Sequence, residues 1–516
     1  MNKYGVTKIA LIAGDLSIIC IATILIVIAV WACRTPQPNI RGCEQNVIYT
    51  LQKVLLGKPL YGHPEEPPFD ITQYGPLYYY GVYPLAAALH ITAEQPARIL
   101  SLARSVSAAA GVATWLMAVW LCVSVFRIGR RSAITAATLG LLASTPWWYL
   151  ARPDALQIAL TFGAICLATS YFEASVKNAW QLAVLSAACL CGLLAVFAKQ
   201  SAADFLVILG VFLLVRKDWR GLAVFGAVAC TGFALASMWL VLTWGQAVEE
   251  NLIGGLQNGF EIRQAFEVYE SISPWWLAVA VALSIAMYWA HSAQFWKRWF
   301  AFLLGGLFLT SALATLKVGS ASVYYAVFLW VASIGIISWL TTATEARTEN
   351  DVCHRRVVTL TGGVLVMAMV PLACSRAKQY MWHMRAPKAH LNAPADIALA
   401  DFLRKRLESQ PAGYFLDLAN KHITLLLPEH ALLPQFEVAE CAWQQGVFEY
   451  SHFTALVESG HLRYVVMNGP LRPMSFLGAD LAKYRHIQDI GRYSVYEHPS
   501  AGLSSDNSII HGPWHD

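Results

Sequence analysis

The sequence predicts a polytopic α-helical membrane protein of about eleven transmembrane helices, followed by a small C-terminal extracytoplasmic α/β domain. Three observations carry that prediction. Of 516 residues, 57% are hydrophobic and 13% charged, with a mean hydropathy of +0.48, whereas soluble domains carry roughly 25% charged residues. Apolar runs of about 18 residues or more recur through the first three quarters of the chain. From about Ser375 onward the composition becomes polar and mixed. The net charge of +5 identifies no partner, because the basic residues are sorted by loop, and nothing in the pattern points to nucleic acid.

The apolar runs lie near 8–33, 99–126, 133–151, 155–173, 180–198, 201–215, 220–243, 275–292, 299–316, 322–341 and 357–374. The first is longer than the 7–15 apolar residues of a secretory signal, and no small-residue cleavage site follows, so it reads as a retained anchor. Lys3 and Lys8 precede the first run; Arg127, Arg130, Arg131, Lys177, Arg216, Lys217, Arg220, Lys297, Arg298, Arg347, Arg355 and Arg356 occupy every second connection. The positive-inside rule makes that side, and the N-terminus, cytoplasmic. The apolar piece 76–92 is then re-entrant or interfacial, since a full crossing would reverse the alternation. The outer side collects the loop 34–98, the turns 146–154, 199–201 and 317–321, the loop 244–274, and everything after 375. Eleven cysteines are scattered without zinc spacing. Cys33, Cys43, Cys374 and Cys441 fall on or beside one face, with no spacing that argues for a disulfide.

The chain divides into a membrane domain, 1–374, an α/β domain, 375–499, and a flexible tail, 500–516. In the α/β domain, ADIALADFLRKRLESQ has the apolar spacing of a helix. GYFLDLA, ITLLLP, RYVVMN and GRYSVYEH read as strands.

Charges within the apolar sequence carry the functional signal, because a charged side chain at the bilayer centre costs roughly 2.5–3.5 kcal/mol on insertion scales. The stretch AVFAKQSAADFL sets Lys199 and Asp204 amid apolar residues. A helix over 201–215 would reach only about 22 Å, short of the roughly 30 Å hydrocarbon core. The turn at Lys199-Gln200-Ser201 therefore lies below the outer surface, where irregular backbone is tolerated beside a cavity. Arg104, Arg152 and Lys317 fall at the same level. The four cations are expected to ring one outward recess, with Glu44 above it and Asp154 at the start of a helix. Arginine forks and lysine point charges suit phosphate, and a lipid-linked phosphate or pyrophosphate reaches this depth with its tail in the bilayer. His63, Glu65, Glu66 and Asp70 stand close together in a proline-rich loop; they read as a solvated acidic loop, or as hard ligands for Mg²⁺ or Mn²⁺. Gly254, Gly255 and Gly259 give the loop 244–274 freedom to act as a lid, or it is an interfacial connector.

At these residues the chain resembles bacterial membrane glycosyltransferases of the GT-C superfamily, in particular the group related to protein mannosyltransferases and aminoarabinose transferases. The resemblance runs over nearly the whole chain: an acidic residue after the first span, then LLGKPLY, QYGP, RPDALQIAL, FAKQS and GSASVYY. It implies a multi-pass enzyme of the bacterial inner membrane that takes a sugar from a polyprenyl-phosphate donor to an envelope glycan, lipid or protein acceptor, with inversion. It further implies Glu44 as the catalytic base, Arg152, Lys199, Lys317 and Arg104 around the donor phosphate, and Asp154, Gln200, Gln73, Tyr74, Ser320 and Tyr324 in substrate binding. No cofactor is required beyond the divalent cation just considered. The competing readings are a polymerase or ligase using a lipid-pyrophosphate-linked glycan, and a lipid or solute transporter.

Overall fold

A computed structural model of the chain describes residues 3–38, 43–174, 178–272, 275–345, 373–375, 378, 391, 393–408, 413–471 and 475–499. The expected span at 357–374 and the tail 500–516 lie outside the described residues, apart from the last two positions of the span. The membrane part is built of helices. They are α1 (Lys3–Arg34), α2 (Cys43–Leu55), α3 (Pro76–Ala88), α4 (Pro96–Ser124), α5 (Arg130–Ala143), α6 (Asp154–Glu173) and α7 (Ala179–Ala198). After these come α8 (Ala203–Val215), α9 (Trp219–Trp244), α10 (Ala247–Leu252), α11 (Ile262–Ser271), α12 (Trp276–Ala290), α13 (Phe295–Ala314) and α14 (Ala326–Glu345). Among the described residues, six helices are long and apolar enough to cross a bilayer, or seven if α11 and α12 form one bent span.

Shorter helices account for much of the difference from the expected count. The run 133–151 is helical only to Ala143. There the hydroxyls of Ser144 and Thr145 both donate to the Leu141 carbonyl at 3.1 Å, and Pro146 has no N–H to continue the ladder. The chain from Ser144 to Pro153 is then free to form a turn, which carries Trp147 and Arg152. α8 has 13 residues, about 20 Å of helix, and a 3₁₀ turn, Gln200–Ala202, precedes it. α3 also has 13 residues, too few to cross, and packs against α2, α4 and α7. Trp299 and Trp330 lie wholly inside the bundle, their indole N–H groups satisfied by Thr169 and Ser144, both at 3.1 Å. The basic connections do gather: Arg127, Arg216 and Lys297 line one cavity.

Residues 394–499 contain α15 (Pro394–Glu408), β1 (Tyr414–Asp417), α16 (His422–Leu426), β2 (Ala431–Leu432), α17 (Phe436–Gln444), α18 (Ser451–Glu458), β3 (Leu462–Met467), β4 (Ser475–Phe476), β5 (Ala479–Asp480), β6 (Arg485–Ile490) and β7 (Tyr493–Glu497). Five strands make a mixed sheet of order β2-β1-β3-β7-β6, parallel through β3 and antiparallel beyond it. One expected strand is a helix. ITLLLP begins one residue inside α16, because the buried Asp417 carboxylate accepts the N–H groups of Ile423 and Thr424 at 3.1 and 3.4 Å. That end-cap overrides the β preference of the side chains.

The segment between α2 and α3 stitches this sheet to the bundle. Phe69 and Ile71 are buried among Leu416, Tyr450 and Phe453, and Leu433 N–H donates to the Pro68 carbonyl at 2.8 Å. From α2, Gln52 donates to the Leu425 carbonyl at 2.7 Å, and Asn46 accepts from the Lys421 ammonium at 3.0 Å.

Candidate active site

A recess of about 750 Å³ lies between the helix ends and the sheet unit. Arg152, Lys199 and Lys317 line it, together with Gln73, Tyr74, Gln200, Ser320 and Tyr324. Lys199 follows the last residue of α7 with extended backbone, which turns its side chain out of the helix. The loop 73–75 presses onto this helix end. A Cβ at Gly75 would fall 2.0 Å from the Phe197 carbonyl oxygen, so only glycine lets Tyr74 approach so closely.

Asp154, the first residue of α6, joins the cations into one unit. Its carboxylate is wholly buried and meets the Lys199 ammonium at 2.5 Å and Arg152 Nε at 2.9 Å. Arg152 Nη2 donates to the Tyr74 hydroxyl at 2.9 Å. The Lys199 ammonium stands 5.1 Å from the Tyr324 ring, and the Arg152 guanidinium 5.2 Å from the Trp147 ring. Two cations are thus held by one anion, leaving an excess positive charge. Asp204 takes no part: it faces Thr310 at 3.3 Å. Lys317 adds a further charge, with no ion pair among the described residues. Burial, and then the nearby Lys199 charge, lower its ammonium to about 8. Gln200 donates to the Gln73 carbonyl at 3.0 Å and Ser320 to the Thr315 carbonyl at 2.8 Å, so both brace the wall.

Glu44 and Arg104 require correction. Neither lines the recess. Arg104 donates to both Glu44 oxygens, at 2.9 and 2.6 Å, and also to the carbonyls of Ala32, Thr35 and Gln37. Ala151 N–H completes the set at 2.7 Å. Both side chains are fully buried. The pair is thus satisfied internally, away from the recess lining. Arg104 compensates Glu44; the recess keeps Arg152, Lys199 and Lys317.

The proline-rich loop also differs from expectation. Asp70 is buried against the Lys53 ammonium at 2.5 Å, His63 faces Glu250 at 2.9 Å, and Glu65 accepts from the Glu449 and Tyr450 N–H groups. Glu66 joins no cluster: among the described residues, no group of three or more His, Cys, Asp or Glu could hold a metal ion. Cys33, Cys43, Cys374 and Cys441 are free thiols. The loop 244–274 forms part of the recess wall. It is fastened by Asn251 to Thr72 N–H at 2.6 Å and by Val318 N–H to the Gly259 carbonyl at 3.1 Å.

Glu437 was not foreseen. It is the carboxylate on the recess wall, presented by α17 with Val438 and Cys441. Its side chain is half exposed and in contact with the buried Lys421 ammonium. Burial lowers the Lys421 ammonium from the usual lysine value, and Glu437 acts against that shift. The local sequence FEVAECAWQ is an ordinary amphipathic helix, and only the tertiary fold brings it to the recess.

In fold the chain is similar to solved membrane proteins. ArnT from Cupriavidus metallidurans bound to undecaprenyl phosphate matches with a TM-score of 0.57 at 13% identity, over 93% of this chain and 97% of that one. The Archaeoglobus fulgidus oligosaccharyltransferase AglB, in complex with an inhibitory peptide and a dolichol-phosphate, matches with a TM-score of 0.53 at 11% identity, over 87% of this chain and 69% of that one. The Archaeoglobus enzyme has also been solved in complex with Zn and sulfate. No protein-family model and no curated protein matches the sequence.

Two outcomes follow. Arg104→Met leaves the Glu44 charge buried without its partner and should cost about 3–5 kcal/mol, whereas the double replacement Glu44→Leu/Arg104→Met should cost less than the single one. Thermal melting of the purified proteins gives the ranking. The second concerns pH. Lys317 is charged below about pH 8 and neutral above it, so affinity of the recess for a lipid phosphate should hold from pH 6 to 7.5 and fall as pH rises past 8. Lys317→Gln should bind more weakly at pH 7 and lose that pH dependence, read by lipid-binding titrations across the range.

Proposed function

We propose that the protein transfers a sugar from a polyprenyl-phosphate donor to an acceptor on the extracytoplasmic face of a bacterial inner membrane, in one inverting displacement. The observation that carries this is the Asp154-held pair of Arg152 and Lys199, with Lys317 beside it, in a recess of a GT-C fold. Solved proteins of that fold bind undecaprenyl phosphate and dolichol-phosphate, which supports the lipid-linked donor. The loop charges support a recess on the extracytoplasmic side, with residues 375–499 as an extracytoplasmic domain.

In this reading the lipid phosphate rests on Arg152, Lys199 and Lys317. As the anomeric C–O bond breaks, its electron pair passes to the phosphate oxygen, and the fixed cations stabilise the charge that develops. Asp154 matters because it sets both cations before substrate arrives, so no reorganisation is needed during the step. Tyr74 and Tyr324 flank the two cations and keep them from bulk water. Glu437, also on the recess wall, takes the acceptor-facing role that the resemblance implied for Glu44: as the acceptor's hydroxyl or amine forms its bond to the anomeric carbon, the carboxylate takes up the proton it gives off.

Mass spectrometry of lipids bound to the purified protein tests the donor site. Wild type should carry polyprenyl phosphate or its monoglycosylated form, and Lys199→Ala and Arg152→Ala should lose it while melting close to wild type. Bulk phospholipid alone in all three would overturn the reading, and a pyrophosphate-linked oligosaccharide would move it to a polymerase. Glu437→Gln should keep the donor lipid yet lower sugar transfer by about 10²-fold or more; unchanged transfer would remove Glu437 from the site.

A further inference from the structure

The second cavity, of about 680 Å³, opens at the opposite, basic end of the bundle, where α4, α6, α8 and α13 end or begin. Its charges do not balance. Glu173 is engaged with Arg127 at 3.2 Å. Asp218 is engaged as well: it accepts the Tyr171 hydroxyl at 2.7 Å and caps α9 through Gly221 N–H at 3.0 Å. Arg216 and Lys297 remain without an ion pair among the described residues. The Arg216 guanidinium lies 3.6 Å from the Phe295 ring centroid, and that of Arg298 lies 4.6 Å from the same centroid. Two like charges therefore share one aromatic ring. Arg216 Nε and Arg298 Nε are buried with no hydrogen-bond partner.

A ring quadrupole offsets only about 0.5–2 kcal/mol of such a cation's burial. Buried N–H donors left unmade cost about 1–3 kcal/mol each. An anion with several acceptor oxygens between Arg216 and Lys297, both on the cavity wall, would offset the repulsion between Arg216 and Arg298. Phosphate oxygens have that chemistry. The remaining wall is aromatic, from Phe126, Phe172, Phe295 and Trp296, which suits glycerol and the first acyl carbons better than a fully hydrated ion. Basic pockets between transmembrane helices on the cytoplasmic side are where anionic head groups bind.

We infer that this cavity is a binding site for one anionic phospholipid of the inner leaflet, its phosphodiester held by Arg216 and Lys297 and its upper chain by the Phe295–Trp296 wall. The site is separate from the donor recess, and its ligand is not consumed. The test is native mass spectrometry of the full chain in delipidating detergent, titrated in parallel with dioleoylphosphatidylglycerol, dioleoylphosphatidylcholine and inorganic phosphate. Wild type should take up one phosphatidylglycerol at least tenfold more tightly than phosphatidylcholine. Lys297→Gln should reduce that preference, and Arg216→Gln/Lys297→Gln should abolish it; melting temperature and retention of lipid in the donor recess report on folding. Equal binding of the two lipids by wild type, or an unchanged preference in the double variant, overturns the inference. Displacement of phosphatidylglycerol by equimolar inorganic phosphate would overturn it in favour of a free anion site. Failure of the donor-recess reading would leave these outcomes untouched.

Discussion

The buried pair of Glu44 and Arg104 is the constraint on which the recess end of the bundle depends. Arg104 projects from α4 and spends its donors on Glu44 and on carbonyls at and just after the end of α1. Glu44 in turn fixes Ala151 in the turn before α6. Four segments with no continuous secondary structure between them are thereby held at one point. The turn that carries Arg152 is among them, so the recess inherits its shape from a pair that never touches it. Such a pair has to be complete: the desolvation of either charge alone exceeds what the surrounding dipoles return.

A similar logic, with the opposite purpose, governs Asp154. At the pair of Glu44 and Arg104 every charge is neutralised; at Asp154 one carboxylate holds two cations, and the excess is left facing a cavity. Without it, Arg152 and Lys199 would repel each other and turn away. With it, their positive charge is fixed in direction before any ligand arrives, which is the condition under which electrostatics contributes most to a reaction. The start of α6 also favours a carboxylate on its own account, through Pro153 at the helix entry and the dipole behind it.

Much of this was legible in the sequence, and the boundary is physical. A lysine within an apolar run needs a cavity or a partner wherever the chain takes it, so Lys199, Arg152 and Lys317 could be assigned to one recess from hydropathy and loop charge alone. Span lengths were less legible, because Ser144, Thr145 and Pro146 end α5 inside a run that hydropathy alone joins to Leu150. Glu44 and Arg104 lie off the recess where they were expected to line it, since nothing local distinguishes a carboxylate that faces a cavity from one enclosed by a guanidinium. ITLLLP was misread because the capping carboxylate, Asp417, sits in the preceding strand. Glu437 was beyond reach: the cations of the recess lie more than a hundred residues away in the chain.

That last distance bears on how the site is divided. The cationic wall is built entirely from the membrane part, and its geometry is set by helix ends and by two buried carboxylates. The carboxylate wall comes from α17 of the sheet unit, held to the bundle by a loop that inserts Phe69 and Ile71 into the unit's own core. Since the same loop delivers Tyr74 to Arg152 a few residues later, any shift of the sheet unit is transmitted to the cation pair. On the reading given above, donor binding and acceptor binding are thus separate in their residues yet joined through 69–74, and a change of acceptor can be accommodated by altering α17 while the charge pair that holds the donor stays as it is.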